Sequence, residues 1–541
     1  MRARRDRVCW LLGLGAIFLG GPAPAERLAE TQTQTQTRVP VRALTGDASF
    51  ESTALPAEVM ASLRREGLEA SAISVLVVPL KGGPALISHR ADESMQPAST
   101  LKVLTAAVAL ERLGPGWRGR TELLAAAPDD KGVVHGDWAL RGLGDADLDL
   151  GALWNLLREW RDSGVQSVKG DLVVDRSWFR PARPDLLAPP FDESPEWPYN
   201  TVPDALLHNR GLLAFDIRSD AQGRIHARVQ PQVPGLEIIN RLTPGTQACS
   251  AWQEGWQTPL AHTRGARTWV VLRGQFPVDC QVRPALNVVD RQWVLAQLVR
   301  RWWTQLGGRW QGAVTEGIAP PGLPVQAVHQ GRTVAELLRP VLKASDNPIA
   351  RLMFENLGAS QGAQPATAPT TADVAAQVVL DWLASQGIAA GGLKLDNGSG
   401  LSRTARISAR QLAEVLQAAL RGPYGTELLA ALPLAGEDGS LRRRLREGPA
   451  HGRARLKTGT LFNVRALAGV VNDRADRSWV LVAMVNGGRL TAGATRALDE
   501  LVERVAAMDG TPDGTRQPCG LGVFPVETSD VRPNFGAPAT R

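Results

Sequence analysis

The sequence predicts a mixed α/β (α+β) chain: an antiparallel sheet flanked by helices, assembled from both ends of the polypeptide, with a large, mainly β insertion between them. Three observations carry this prediction. Ile73 to Pro79 near the beginning, and Arg453 to Thr458, Ala466 to Val471 and Trp479 to Val485 near the end, are β-rich runs of strand length. A helix-like segment brackets each set, Ala57 to Glu66 ahead of the first and about Ala492 to Met508 behind the last. Between them, residues 127–324 change character, with many tryptophans, irregular Pro/Gly punctuation and short strand-like pieces such as Asp171 to Asp175 and Thr268 to Leu272.

Taken in order, the chain opens on a secretory signal over residues 1–25. Arg2, Arg4, Arg5 and Arg7 form its basic region, Val8 to Gly20 its apolar core and Ala23-Pro24-Ala25 its small-residue cleavage site. The apolar stretch is about 13 residues, short of the ~20 that span a bilayer, so the mature chain is expected to start near Glu26 with no transmembrane span. Residues 26–55, with Thr/Gln alternation from Thr31 to Thr37, read as a flexible leader. Folding is expected to begin near Pro56, where the first helix and a hairpin turning at Gly82-Gly83 bring Ala85 to His89 beside Ile73 to Pro79. From Ala98 onward, Leu101, Leu104, Val108 and Leu113 recur near helical spacing, which puts Ser99 at a helix start. The core domain is therefore expected to be discontinuous, 56–126 plus 325–508, with 127–324 inserted. The Gly-, Pro- and Thr-rich residues 509–541 read as a disordered tail.

Composition narrows the function classes. With 541 residues and 44% hydrophobic content, the chain has ample material for ordinary cores. The formal charge of +7 falls to about +4 without the signal, and the arginines interleave with acids rather than forming a basic block with stacked aromatics, so no nucleic-acid partner is expected. No CxxC or HExxH spacing occurs and the seven histidines are scattered, so neither a metal nor another cofactor is implied. Beyond Cys9 in the signal, Cys249 and Cys280 are the candidate pair for an exported protein, Cys519 lying in the tail; the sequence leaves a bridge and two unpaired thiols both open.

Three short strings carry the chemistry: Ser99-Thr100-Leu101-Lys102, Ser345-Asp346-Asn347 and Lys457-Thr458-Gly459, in a chain with only seven lysines among 61 basic side chains. Ser99 and Lys102 stand three apart, on one helical face, so an amine lies beside a hydroxyl. Free serine is a weak nucleophile and needs a base; lysine serves only if burial or a second cation lowers its pKa, and Lys457 is the natural neighbour. Ser345 lies between the apolar-periodic Val334 to Leu342 and the helical Ile349 to Asn356, where its hydroxyl can relay a proton to a departing amine while the Asn347 carboxamide orients a substrate amide. Lys457 and Thr458 close a strand-like run and can hold a terminal carboxylate. Gly459 admits close backbone approach, and the N–H of Thr460 with that of Ser99 would make an oxyanion hole. Each string alone is an ordinary cap, turn or strand end; together they are a catalytic set.

The three strings resemble the motif set of class A β-lactamases and penicillin-binding proteins. The 246-residue gap between Ser99 and Ser345 narrows the likeness. It is similar to the D-alanyl-D-alanine carboxypeptidase/endopeptidase family of class C penicillin-binding proteins, peptidase family S13, whose transpeptidase-like domain carries a large insert after the first motif. Supporting strings are Leu143-Gly144-Asp145, Gly170 to Asp175 with Phe179, Trp197-Pro198-Tyr199-Asn200, and Asp396 to Arg403. By that resemblance, Asp175 and Arg403 would recognise the amino and carboxylate ends of a diaminopimelate side chain, opposite charges suiting a zwitterion. Phe462 departs from the polar residue frequent there, and Asp145-Ala146-Asp147 from the usual Asp-Pro pairing.

The resulting expectation is a periplasmic serine DD-peptidase. Its catalytic residues are Ser99, Lys102, Ser345, Asn347 and Lys457, and its substrate-binding residues Thr458, Gly459, Thr460, Asp175 and Arg403. It would cleave D-alanyl bonds of peptidoglycan stem peptides through an acyl-Ser99 intermediate and take β-lactams as covalent inhibitors. The rivals are a β-lactamase or esterase on the same scaffold, and a non-catalytic wall-binding scaffold.

Overall fold

The strand Ile73–Pro79 is buried along nearly its whole length, and its alternate side chains enter two different cores. Ile73, Val75 and Val77 join one apolar cluster, while Leu76 and Val78 join another. A strand covered on both faces reads as a continuous apolar run, as this one does. It pairs antiparallel with Ser478–Asn486 on one side and with Ile87–His89 on the other. The full sheet runs Ala454–Leu461, Val464–Asn472, Ser478–Asn486, Ile73–Pro79, Ile87–His89, so both ends of the described chain build it. The computed structural model describes residues 55–362 and 369–509; the expected signal, the leader up to residue 54 and the tail from residue 510 lie outside them.

Helices Ala57–Arg65 and Ala492–Ala506 cover one face through Val59, Leu63, Leu498, Leu501 and Val505. Helices Lys102–Arg112, Val334–Leu342, Asn347–Ala359 and Ala409–Arg421 cover the other. The fold is thus a mixed α/β arrangement with antiparallel sheet and flanking helices. The site forms where the second helical layer meets the outer strand Ala454–Leu461.

The region between the first and second motifs holds its own sheets. One five-stranded sheet runs Val314–Glu316, Leu172–Asp175, Trp138–Leu143, Arg118–Leu124, Val325–Thr333. Arg118–Leu124 and Val325–Thr333 pair antiparallel across that sheet, yet both stand outside the 127–324 boundaries expected for the insertion. Helices Leu150–Asp162 and Arg291–Gln305 pack on it. The tryptophan richness has a packing cause: Trp138 and Trp160 lie 4.8 Å apart between ring centroids and Trp160 and Trp303 4.9 Å, at the centre of that core. A three-stranded sheet of Leu236–Gly245, Arg267–Pro277 and Trp256–Arg264 forms a further lobe, where Cys249 and Cys280 form a disulfide with Cα atoms 5.3 Å apart. Among the described residues no helix is long and apolar enough to cross a membrane, and no group of three or more His, Cys, Asp or Glu side chains is placed to hold a metal ion.

Candidate active site

Ser99 sits in a short 3-10 turn, Ala98–Leu101, that leads into the helix Lys102–Arg112. The turn is pressed between two glycines. A Cβ on Gly400 would stand 1.9 Å from the Ala98 carbonyl oxygen, and one on Gly459 would stand 2.7 Å from that of Pro97. Only glycine permits such approach. Ala98 itself takes a left-handed φ of 47°, and Gln96 anchors the approach by accepting from Asn463 Nδ2 at 3.0 Å and donating to the Ser402 carbonyl at 2.6 Å.

Lys102 is fully buried. Its Nζ lies 2.9 Å from Ser99 Oγ, 2.7 Å from Asn347 Oδ1 and 2.6 Å from the Ser399 carbonyl oxygen. Two carbonyl oxygens accept two N–H bonds, and the third neighbour is a hydroxyl that can donate into a lone pair; the set suits a neutral amine. Burial holds Lys102 well below the usual lysine range, and the charge of Lys457 depresses it further. Asp346 opposes that fall and Arg351 adds to it.

Lys457 is also fully buried, on the sheet-edge strand Ala454–Leu461. Its Nζ lies 3.0 Å from Ser345 Oγ and donates to the Thr458 carbonyl at 2.6 Å; burial lowers its pKa to about 7. Thr458 Oγ1 is 2.7 Å from Ser440 Oγ. Ser345 adopts a left-handed φ of 60° at the junction of two helices. Asp346 caps the second of them, its Oδ1 accepting from Ile349 N at 3.0 Å, and Asn347 Nδ2 donates to the Tyr199 carbonyl at 3.2 Å.

A cleft of about 1090 Å³ opens over this cluster, and Ser99, Ser345, Asn347 and Thr460 line it. Arg403, Asp192, Tyr199 and the exposed Phe462 line it as well. Arg403 donates to the Phe191 carbonyl at 2.9 Å and lies 5.0 Å over the Phe191 ring. Asp192 accepts from Tyr199 Oη at 2.8 Å, Asn200 Nδ2 at 2.7 Å and Ser194 N at 3.0 Å. A cavity of about 1130 Å³ between Ala57–Arg65, Ala492–Ala506 and the loop around Arg446 holds none of the motif residues.

The structure brings Ser99, Lys102, Ser345, Asn347 and Lys457 together, with Thr458, Gly459, Thr460 and Arg403 around them. It does not bring Asp175. That carboxylate is 2% exposed, its oxygens accept from Ser177 N at 2.8 Å and Ala319 N at 2.9 Å, and it does not line the cleft. Asp175, expected to bind substrate, instead accepts from two backbone N–H groups away from this cleft. Asp192, with its exposed neighbour Glu193, is an acid that lines the cleft. Sequence reasoning missed it, along with Ser440 and the Ser399 carbonyl, although Asp192 lies five residues ahead of the quoted Trp197 to Asn200 string. Ser399, within the Asp396 to Arg403 string, is fully buried with its hydroxyl donating to Asn397 Oδ1 at 2.6 Å.

Comparison with known proteins finds relatives of this chain in sequence and in fold. The sequence profile of the D-Ala-D-Ala carboxypeptidase 3 (S13) family matches residues 55–508. A D-alanyl-D-alanine carboxypeptidase of Actinomadura sp. (strain R39) is 30% identical over 517 residues, 92% of this chain and 93% of that one. The D-alanyl-D-alanine carboxypeptidase DacB of Haemophilus influenzae is 25% identical over 430 residues, 77% of this chain and 86% of that one. The crystal structure of penicillin binding protein 4 (dacB) from Haemophilus influenzae shares the fold, with a TM-score of 0.67 at 22% identity over 81% of this chain and 96% of the other. That protein complexed with a novel β-lactam gives a TM-score of 0.66 at 23% identity, with the same coverage.

Proposed function

From the premise that this chain belongs to the D-Ala-D-Ala carboxypeptidase 3 (S13) family and is a serine-type D-Ala-D-Ala carboxypeptidase, we propose that it works through an acyl-Ser99 intermediate with Lys102 as the base. The observation that carries this reading is the contact set of Lys102: two carbonyl oxygens for its N–H bonds and the Ser99 hydroxyl 2.9 Å from Nζ. Ser99 Oγ gives its proton to Lys102 and attacks the carbonyl between the two D-alanines. The oxyanion is met by the N–H groups of Ser99 and Thr460. Collapse breaks the C–N bond, and the leaving amine takes a proton through Ser345, which Lys457 holds. Water then cleaves the ester, the same groups running in reverse, and D-alanine and the shortened peptide leave.

Lys457 and Thr458 receive the terminal carboxylate, whose charge draws a proton onto a lysine poised near neutrality. Arg403 and Asp192, of opposite sign on the cleft wall, suit the zwitterionic end of a stem-peptide side chain. An open cleft of this volume also admits a cross-linked stem, so endopeptidase cleavage belongs to the same reading. A β-lactam presents Ser99 with an amide of similar shape, and the Haemophilus influenzae relative has been solved with one bound. The signal-like residues 1–25 support export to the periplasm, where peptidoglycan lies. We further propose that residues 56–126 and 325–508 make the catalytic domain around the insertion, with Arg118–Leu124 and Val325–Thr333 carrying the chain across into the insertion's sheet. The test is a fluorescent penicillin together with a D-Ala-D-Ala muropeptide. One adduct per chain and release of D-alanine are expected, both lost in Ser99→Ala; labelling that persists in Ser99→Ala puts the nucleophile elsewhere.

A further inference from the structure

The insertion reaches into the catalytic cluster at one point that no motif announces. The turn His208–Gly211 places Asn209, Arg210 and Gly211 in succession at φ 44°, 58° and 69°. Side chains rarely adopt that region, and two non-glycine residues in a row hold it only because their surroundings fix them. Asn209 N donates to the Leu148 carbonyl at 2.7 Å, and its side-chain amide donates to the Leu212 carbonyl at 2.5 Å. The product of this fixed turn is the position of one guanidinium: Arg210 Nη2 donates to Asp346 Oδ2, across 136 residues of sequence. Arg210 Nε is buried with no hydrogen-bond partner.

Asp346 is the middle residue of the second motif, between the hydroxyl facing Lys457 and the carboxamide facing Lys102. Its side chain is 10% exposed, so its charge acts through little water. We propose that Arg210 is a positioning residue for the acylation step: by pairing with Asp346, which precedes the Asn347 carboxamide that Lys102 donates to, it offsets that carboxylate and keeps Lys102 neutral. The proposal rests on the Ser99–Lys102 reading above. The charges that act on Lys102 are Lys457 and Arg351, which favour the neutral amine, and Asp346, which favours the ammonium. Those on Asp346 are Arg210, Lys102 and the more distant Arg332. Removing Arg210 leaves Asp346 free to stabilise the protonated lysine.

The experiment is the acylation rate of the mature chain by a chromogenic cephalosporin or fluorescent penicillin from pH 5 to 9, for wild type, Arg210→Met, Arg210→Lys, Asp346→Asn and the Met/Asn double variant. Wild type gives an acid limb. In Arg210→Met its midpoint rises by about 0.5–1 pH unit, so that acylation below the midpoint slows ~3- to 10-fold. Arg210→Lys restores the midpoint, and Asp346→Asn, which keeps a capping side chain, lowers it. On the Asp346→Asn background, Arg210→Met no longer moves it. A purely structural role lowers the rate equally at every pH, and an unmoved midpoint in Arg210→Met overturns the proposal. Should Arg210→Met not fold, Asp346→Asn decides alone, an unmoved midpoint again overturning it. A wild type with no acid limb defeats the Ser99–Lys102 reading instead, and this is read from the unsubstituted protein.

Discussion

Lys457 Nζ stands 3.0 Å from Ser345 Oγ, although 112 residues separate them and each comes from a different layer of the fold. The contact joins the outer strand of the sheet to a helix–helix junction, and it puts a second buried amine within electrostatic reach of Lys102. Two ammonium groups so close and so dry oppose each other's charge, so the pair favours a state in which Lys102 is neutral. Burial is the larger cause of the fall at Lys102, and the Lys457 charge adds to it.

Acylation of Ser99 is expected to fall as pH drops and Lys102 takes a proton, because only the free amine can accept from the hydroxyl. Lys102→Arg removes that option, since a guanidinium stays charged at any working pH. The expected loss is about 10²–10⁴-fold in acylation rate, the usual contribution of a general base. Stopped-flow acylation against pH checks both; a flat profile from pH 5 to 8, or an active Lys102→Arg, counts against the base assignment.

The same burial destabilises the fold at neutral pH. Lys457 ionises near pH 7 when folded and near 10.5 when unfolded, so between those values the unfolded chain binds more protons. Stability then rises with pH across that window, by up to about 1.4 kcal/mol per unit from this group. Lys457→Met removes the contribution. The variant is expected to be more stable than wild type at pH 7, with the advantage shrinking towards pH 10, while losing peptidase activity. Chemical denaturation at several pH values measures the slope difference; equal slopes refute the linkage.

Gly400 is required by its neighbour rather than by its own flexibility alone. Its φ is 76° and an added Cβ would meet the Ala98 carbonyl at 1.9 Å, so Gly400→Ala must push the Ser99 turn out of place. We expect a loss of about 1–3 kcal/mol in stability and a much larger fractional loss of penicillin labelling than the stability change explains. Gly322→Ala, at φ 80° with open space around it, is the control: similar backbone strain with labelling intact.

The sheet and the three motifs were legible in the sequence because their signals are local. Ile73–Pro79 reads as a strand from its own residues, and Ser99 with Lys102 reads as a face from a spacing of three. What depended on distant pairing was not legible. Arg118–Leu124 pairs with Trp138–Leu143 close behind it and also with Val325–Thr333, which returns beside it some 200 residues later, and no local pattern announces that second pairing. Asp175 ends a strand in a string resembling the family, but the geometry turns its carboxylate onto two backbone amides. Asp192 sits in an irregular Pro-rich loop with no periodicity to read. Its place in the cleft arises from where the insertion delivers it.

That exchange of acids yields a test that separates binding from folding. Arg403 is exposed to the cleft, so Arg403→Ala should leave the melting temperature within about 1–2 °C of wild type, as surface changes do. It should raise KM for a stem peptide with a zwitterionic side chain by ~10-fold, the worth of one charge-assisted contact. A peptide whose side chain ends in a neutral amide should be cleaved with little change. Asp192→Asn should show the same substrate selectivity, since it removes charge while keeping a group that Tyr199 can reach. Asp175→Ala should do the reverse: it strands the buried Ala319 amide, at about 1–3 kcal/mol, and lowers the melting temperature without altering the ratio of kcat/KM between the two peptides. A selectivity change in Asp175→Ala at intact stability would return that residue to the cleft, against its 2% exposure and its two backbone partners.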